Sequence, residues 1–363
     1  MRRPAAVAVL LMLAFLTTVA RAAVPPPTPS EVQTGRRLAA QIESRYKLST
    51  DAALTERLNR VARAIVAVSD REGVPYAFKI LDVDVANAVS LPGGFIYVTK
   101  PMFDVVRSDH ELAALLAHEI AHVAHGHGME MLRRQSSAVL VTILVAALTR
   151  DARAARGVQL ASIGVLAHYT RDLERDADLT AITYLQKTSY SPVGILTLME
   201  RFEREEQYRA NVDLGAWADH PKTAERVDYI AAELRRRGIP LIRRIPANYL
   251  RLAVREVSER GVAGGELLVN QRVIARLPDP DRVREAAEQL DRLFNAELRS
   301  FEVGLAWVPG ETYYLVARGA TIVTLTGRDA QWNGTTLKDL ALSIHARLRT
   351  VMEDDLRRRK LTG

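Results

Sequence analysis

The chain has 363 residues, of which 48% are hydrophobic and 26% charged, a balance typical of globular proteins with two or three domains. Its formal net charge is +7, but no nucleic-acid recognition module accompanies the basic residues, so we expect no nucleic-acid partner. Cysteine is absent, which excludes disulfides and lipid attachment through an N-terminal cysteine.

The first 22 residues have the three-part pattern of a secretory signal peptide. Arg2 and Arg3 precede an uncharged apolar run, and a small-x-small sequence ends at Ala22. The run is short for a membrane span, so we predict cleavage near Ala22 rather than an uncleaved anchor. Export without disulfides fits a bacterial periplasm.

The segment from 31 to 99 passes from helical to β patterns. Apolar residues recur at helical spacing over 31–70, and 75–85 alternates as a strand. Residues 92–94, with the sequence Pro-Gly-Gly, predict a turn, and 95–99 is a β-rich run.

A helix is predicted to begin at Ser108, because Ser108 and Glu111 have capping-box spacing, and to end near Gly126 and Gly128. Residues 137–149 are strongly apolar but too few to span a membrane. A core helix is the default interpretation of this stretch. The alternative is a lip that dips into a membrane or faces substrate.

The remaining pattern predicts an α+β protein. A mostly helical domain at 23–245 has a small β-sheet edge, and a small α+β module follows at 246–363. This module contains no tetratricopeptide period, and its default role is partner docking or substrate presentation. Further helices are predicted at 158–186, from Pro221, at 281–297 and at 336–352. Residues 266–275 predict a strand or a hairpin, and strands are predicted at 301–307, 313–317 and 321–326.

Two histidines four residues apart, His118 and His122, are the most informative feature of the chain. On a helix they share one face about one turn apart, so both imidazoles can bind the same ion. Glu119 projects beside this face, where it can act as a general base toward water. The residues match the zincin pattern, which requires one more protein ligand.

The third ligand is not supplied in the way that the metzincin pattern supplies it. That pattern requires glycine at position 125 and histidine at 128, whereas the chain has His125 and Gly128. Glu174, on a later helix, is the best candidate. Asp178 lies one turn further on the same face, where it can accept the second ring N–H of a ligand histidine.

Four segments together resemble one family, the zinc metallopeptidases related to HtpX and the CAAX prenyl proteases, and in particular its exported periplasmic branch. They occur in the family's order between about 40 and 230. Some exported relatives carry a tetratricopeptide domain after the peptidase segment, whereas this chain has no tetratricopeptide pattern there. The segments are Asn87-Ala88 followed by 92–98, His118–His122 with His127, 174–178, and His220-Pro221 with Arg226.

The resemblance implies that His118, His122 and Glu174 hold one zinc ion per chain and that Glu119 is the base. It also implies that the segment from Asn87 to Val98 forms an active-site edge strand. Such a strand binds an extended substrate by strand addition. The residues expected to contact substrate are Asn87, Ala88, Gly93 and Gly94.

The family also suggests roles for residues around the ligands. His220 is expected to stabilise the oxyanion or to occupy the fourth zinc position, and its alternative role is to cap a helix. Arg226 is expected either to pair with a site carboxylate or to anchor its helix. His125 and His127 are expected to be structural or to lie next to the ligands.

These features predict a zinc endopeptidase that acts on unfolded or misassembled envelope proteins. One alternative is a chaperone or assembly factor whose zinc site is structural or latent. Another is a protein that contacts the membrane surface through 137–149 and the basic clusters at 235–237 and 357–360.

Overall fold

A computed structural model describes residues 24–134, 163–208, 223–259 and 261–361. The predicted signal peptide, the apolar stretch 137–149, and His220 with Pro221 lie outside the described residues. The described chain is an α+β protein in two parts, and each part has its own hydrophobic core. None of the described helices combines the length and apolar composition needed to cross a membrane.

The first part packs helices around one three-stranded sheet. In this sheet the strand order is β1-β3-β2, with β1 parallel and β2 antiparallel to β3. Its strands are β1 (Ala77–Leu81), β2 (Ala88–Leu91) and β3 (Phe95–Thr99). Its helices are α1 (Pro29–Arg45), α2 (Ala52–Val66), α3 (Met102–Val105), α4 (Asp109–Ala124), α5 (His127–Arg134), α6 (Ile163–Leu185), α7 (Val193–Tyr208) and α8 (Thr223–Arg236).

The helical pattern over 31–70 forms two helices rather than one stretch. Between them the chain becomes extended, and Leu48 bridges to Leu81 beside β1. Asp51 then caps α2 by accepting a hydrogen bond from the backbone N–H of Leu54, at 3.0 Å. An N-cap carboxylate accepts a hydrogen bond from a backbone amide that would otherwise be unpaired. Asp51 therefore favours the start of a second helix at this position.

The predicted turn at Pro92–Gly94 and the strand at 95–99 are confirmed. Gly93 and Gly94 have φ of 75° and 100°, values that favour glycine. Helix α1 packs directly on this turn. A Cβ atom at Gly35 of α1 would lie 1.7 Å from the carbonyl oxygen of Pro92, so only glycine fits there.

Helix α4, which carries His118 and His122, starts as predicted at Ser108. The Ser108 hydroxyl accepts hydrogen bonds from the amides of His110 and Glu111, at 3.1 and 3.3 Å. The helix ends before Gly126, whose φ is 69°. Gly128 does not mark this end, because it lies inside α5.

The capping-box prediction is correct for Ser108 but not for Glu111, whose side chain has other partners. Its carboxylate accepts from the amide of Arg107, at 2.7 Å, and binds Arg201 of α7 at 2.6 Å. Helix α7 was not predicted. Its Arg201 is 5% exposed and Glu111 is fully buried, so this buried ion pair stabilises the start of α4.

The second part has two three-stranded antiparallel sheets and a long closing helix. The predicted hairpin, helices and strands are present, but β4 and α10 were missed and α11 extends nine residues beyond the predicted end. The elements are β4 (Leu252–Glu259), β5 (Val262–Val269), β6 (Arg272–Leu277), α9 (Pro280–Asn295), β7 (Val303–Val308), β8 (Thr312–Ala317), β9 (Ala320–Thr326), α10 (Gly327–Trp332) and α11 (Leu337–Leu361).

The connection between the parts contacts the start of α4. Ser108 donates a hydrogen bond to the carbonyl of Pro246, at 2.6 Å, and Asn248 donates to the carbonyl of Arg107, at 2.9 Å. Arg243 binds Glu200 of α7 at 2.8 Å. The C-terminal part is therefore attached where α4 and α7 meet.

We predict that Gly35→Ala destabilises the first part, because the added methyl group overlaps Pro92. Overpacking of this kind costs about 1–3 kcal/mol. Arg36→Ala on the exposed side of the same helix is the matched control and should leave stability nearly unchanged. Chemical denaturation followed by circular dichroism measures both, and equal effects would contradict the close contact.

Candidate metal centre

The side chains of His118, His122 and Glu174 converge in a buried triangle between α4 and α6. The two Nε2 atoms are 3.0 Å apart, and Glu174 oxygens lie 3.3 Å from Nε2 of His118 and 3.2 Å from Nε2 of His122. Zinc bonds of about 2.0–2.1 Å in a tetrahedron place neighbouring ligand atoms about 3.3 Å apart. The donor set and its spacing therefore fit a zinc ion.

Close packing of α4 and α6 produces this triangle. The two histidines are one turn apart on α4, and Glu174 faces them from α6. Small side chains allow the two helix backbones to approach. Four alanines from these helices are fully buried in the same core: Ala117, Ala121, Ala177 and Ala181.

Asp178 orients the first ligand. One of its oxygens is 2.9 Å from Nδ1 of His118, which leaves Nε2 directed at the triangle. Burial would raise the pKa of the Asp178 carboxyl, but the charges of Arg226 and His118 outweigh burial and hold it well below its usual range. Asp178 is thus an anion with no exposure to solvent.

Arg226 of α8 compensates the buried negative charge. Its guanidinium donates two hydrogen bonds to Asp178, at 2.8 and 3.0 Å, and lies 3.1 Å from Glu174. Tyr229, one turn further along α8, also donates to Asp178. These contacts correspond to one of the two roles left open for Arg226, pairing with the site carboxylates. The same contacts hold α8 against α6.

The protonation of the two ligand histidines differs. Burial disfavours charge on both, but Glu174 and Asp178 outweigh it at His118 and raise its pKa to about 10. Burial lowers the pKa of His122 to about 3, and the neighbouring His118 and His127 act in the same direction. Since metals bind neutral imidazole, His118 has a proton to release on metal binding.

The predicted base, Glu119, lies directly after the first ligand on α4. It is 2% exposed and outside the three-residue donor set. The other predicted catalytic residue, His220, lies outside the described residues, so its role stays a prediction.

The predicted substrate residues lie in a different arrangement from the expected single edge strand. Asn87 precedes β2, one of the two edge strands of the sheet, while β3 lies in the centre, so the segment from Asn87 to Val98 is two strands joined by a turn. Asn87 and Ala88 are each 1% exposed, and Gly93 and Gly94 are buried. A Cβ atom at Gly93 would meet Val32 at 2.7 Å, so this glycine has a packing reason of its own.

Strand β2 nevertheless runs toward the donor triangle. Its last two residues, Ser90 and Leu91, line a small cavity together with His122. Among the described strands β2 pairs only with β3, so no described strand occupies its other edge. Substrate contact by this segment stays a prediction.

A second cluster was not anticipated as a unit. His125, His127 and Asp176 also place ligand-type atoms within 4.8 Å of one another. The two histidines had been expected near the ligands, but Asp176 had not. Its signal was its place in the sequence, two residues after Glu174 and therefore on another face of α6.

Comparison with known proteins decides the family. Residues 50–234, just over half of the chain, match peptidase family M48. The chain belongs to peptidase family M48. Residues 261–355 match a domain of unknown function, DUF8459, in the C-terminal part.

Several M48 relatives are similar over the peptidase segment. The mitochondrial metalloendopeptidase OMA1 of Schizosaccharomyces pombe is 27% identical over 170 residues, which cover 47% of this chain and 50% of the relative. The beta-barrel assembly-enhancing protease of Escherichia coli is 27% identical over 188 residues, covering 49% and 38%. The metalloprotease LoiP of Escherichia coli is 26% identical over 187 residues, covering 51% and 72%. The match thus spans half or less of the first two relatives.

We predict that Arg226→Gln strongly destabilises the peptidase segment, because it leaves Glu174 and Asp178 without their buried cation. Breaking a buried pair of this kind costs about 3–5 kcal/mol. The control is Arg236→Gln on the same helix, where the exposed Arg236 binds Glu233 and its loss should have no measurable effect. Denaturation midpoints of the two variants check this prediction. Similar midpoints would show that Arg226 does not make the predicted contribution to stability.

Proposed function

We propose that this M48 chain is a zinc-dependent endopeptidase. The observation that carries the proposal is the buried triangle of His118, His122 and Glu174 with Glu119 directly beside it on α4. Two imidazoles and one carboxylate are a ligand set of catalytic zinc, because they leave a coordination position open. The names of the metalloprotease relatives support the same reaction.

In this mechanism Glu119 is the general base. When bound, zinc polarises the scissile carbonyl and lowers the pKa of water that it holds. Glu119 takes a proton from water and returns it to the leaving amine. Its burial keeps the carboxylate close to the reacting atoms and away from bulk solvent. His220 is proposed either as a donor to the oxyanion that develops on the carbonyl or as a group that occupies the open position at rest.

The substrate is proposed to bind as an extended strand along β2. The edge of β2 that pairs with no described strand leads to Ser90 and Leu91, next to His122. Backbone hydrogen bonds of this kind do not depend on side-chain sequence, so they suit a protease that accepts unfolded chains. Asn87, Ala88, Gly93 and Gly94 would shape and support this edge.

The proposed substrates are unfolded or misassembled proteins of the cell envelope, and the proposed location is the periplasm. Support comes from the signal-peptide pattern that ends near Ala22 and from relatives such as the beta-barrel assembly-enhancing protease of Escherichia coli. Contact with a membrane surface has weaker support. In the basic clusters Arg236 and Arg237 both bind Glu233, and Arg357 binds Asp354, so local acids offset these charges.

We predict that Glu119→Gln lowers the rate of cleavage of an unfolded, carboxymethylated protein by about 100- to 10,000-fold, the usual contribution of a general base. The variant should retain bound zinc, because Glu119 is outside the donor set. Glu56→Gln, at an exposed position on α2, is the control and should cleave like the wild type. Equal cleavage by Glu119→Gln and the wild type would refute the proposed mechanism.

We also predict that a chelator abolishes cleavage, that added zinc restores it, and that helical content is retained in between. The first core is formed by helices and a sheet independent of the metal, so the fold does not require zinc. A structural zinc site gives the opposite result, since its metal supplies folding energy. Circular dichroism and cleavage assays on the same samples separate these outcomes, and loss of helices on chelation would favour the assembly-factor alternative.

A further inference from the structure

A chain of polar contacts leads from the second ligand to the cluster of His125, His127 and Asp176. Nδ1 of His122, the ring atom that faces away from the donor triangle, is 2.9 Å from Nδ1 of His127. Nε2 of His127 is 3.3 Å from an oxygen of Asp176. His127 is 4% exposed, so this contact is shielded from water.

The contacts continue beyond Asp176. The same oxygen of Asp176 binds Nδ1 of His125, and Nε2 of His125 lies 3.3 Å from Asp70. Asp70 in turn accepts a hydrogen bond from the hydroxyl of Tyr184 on α6. Asp176 is therefore held by both histidines of the α4–α5 corner, and His125 is held in turn by Asp70 from the loop after α2.

The positions of the protons follow from these contacts. Because Nε2 of His122 belongs to the donor triangle, a neutral His122 carries its single hydrogen on Nδ1. Nδ1 of His127 must then accept that hydrogen. A neutral His127 consequently carries its own hydrogen on Nε2 and donates it to Asp176.

The hydrogen on Nε2 of His127 excludes a second metal at the cluster while the first site is filled. The spacing of His125, His127 and Asp176 resembles a metal site. A metal would need the lone pair of His127 Nε2, but that atom carries the hydrogen directed at Asp176. The cluster is thus a hydrogen-bonded extension of the first site.

We propose that His127, held by Asp176, is a positioning residue that fixes the tautomer and ring orientation of His122 for metal binding. The inference rests on the proposed zinc site. With His127 in this role, each ligand histidine has a carboxylate partner. Asp178 contacts His118 directly, and Asp176 acts on His122 through His127. Partners of this kind hold the ring in place and raise its basicity as a ligand.

The test is the zinc affinity of His127→Leu and His127→Asn, measured by competition with a chelating dye. Leucine removes the acceptor beside His122, and we expect its zinc affinity to fall about 10- to 100-fold. Asparagine retains an acceptor at the position of Nδ1, and its affinity should stay close to that of the wild type. His110→Leu is the control, since His110 lies on α4, the helix of His118 and His122, and accepts a hydrogen bond from the Ser191 amide, away from the triangle.

The outcomes separate the inference from the proposed function. Wild-type affinity in His127→Leu would overturn the positioning role, and so would two zinc ions per wild-type chain with one lost in the variant. Absence of zinc binding by the wild type would instead refute the zinc site itself. If His127→Leu does not fold, nitrogen NMR of histidines in the zinc-loaded wild type decides: hydrogen on Nε2 of His127 supports the inference, and hydrogen on Nδ1 contradicts it.

Discussion

Burial of two carboxylates beside two imidazoles is the constraint on which the rest of the site depends. Glu174 and Asp178 are 5% and 0% exposed, and buried anions are tolerated only when a cation or donor compensates them. Arg226 supplies this compensation by binding both at once. The position of α8 against α6 is therefore a requirement of the site, because Arg226 can reach both carboxylates only from there.

The same kind of pairing holds α4, the helix that carries both histidines, at its two ends. Arg201 of α7 binds Glu111 in the first turn. At the other end Arg71, which is paired with buried Glu31, donates to the carbonyl of Val123. Fixed ends keep the histidines in register with Glu174, and a ligand displaced by a fraction of an ångström would weaken metal binding. The connection to the C-terminal part also contacts the start of this helix, through Ser108 and Arg107.

Much of the site was predictable because its chemistry is local in sequence. The spacing of His118 and His122 predicts one helical face, and Glu174 with Asp178 repeats that logic one turn apart. Arg226 was open between two roles, because its partners lie 48 and 52 residues away and no periodic pattern encodes such a pair. A longer separation of 90 residues likewise left the Arg201–Glu111 pair unpredicted. The short strand β2 was predicted as part of one edge strand from Asn87 to Val98, because four residues beside a turn are too few to show a periodicity of their own.

We propose that one zinc ion is held by His118 Nε2, His122 Nε2 and an oxygen of Glu174. The most direct measurement is a crystal structure of the zinc-loaded protein with anomalous diffraction data collected at the zinc edge. We predict one anomalous peak at the centre of this triangle, with about 2.0–2.2 Å to each ligand atom. A peak at His125 and Asp176 instead, or a triangle without zinc in a fully loaded crystal, would contradict the account.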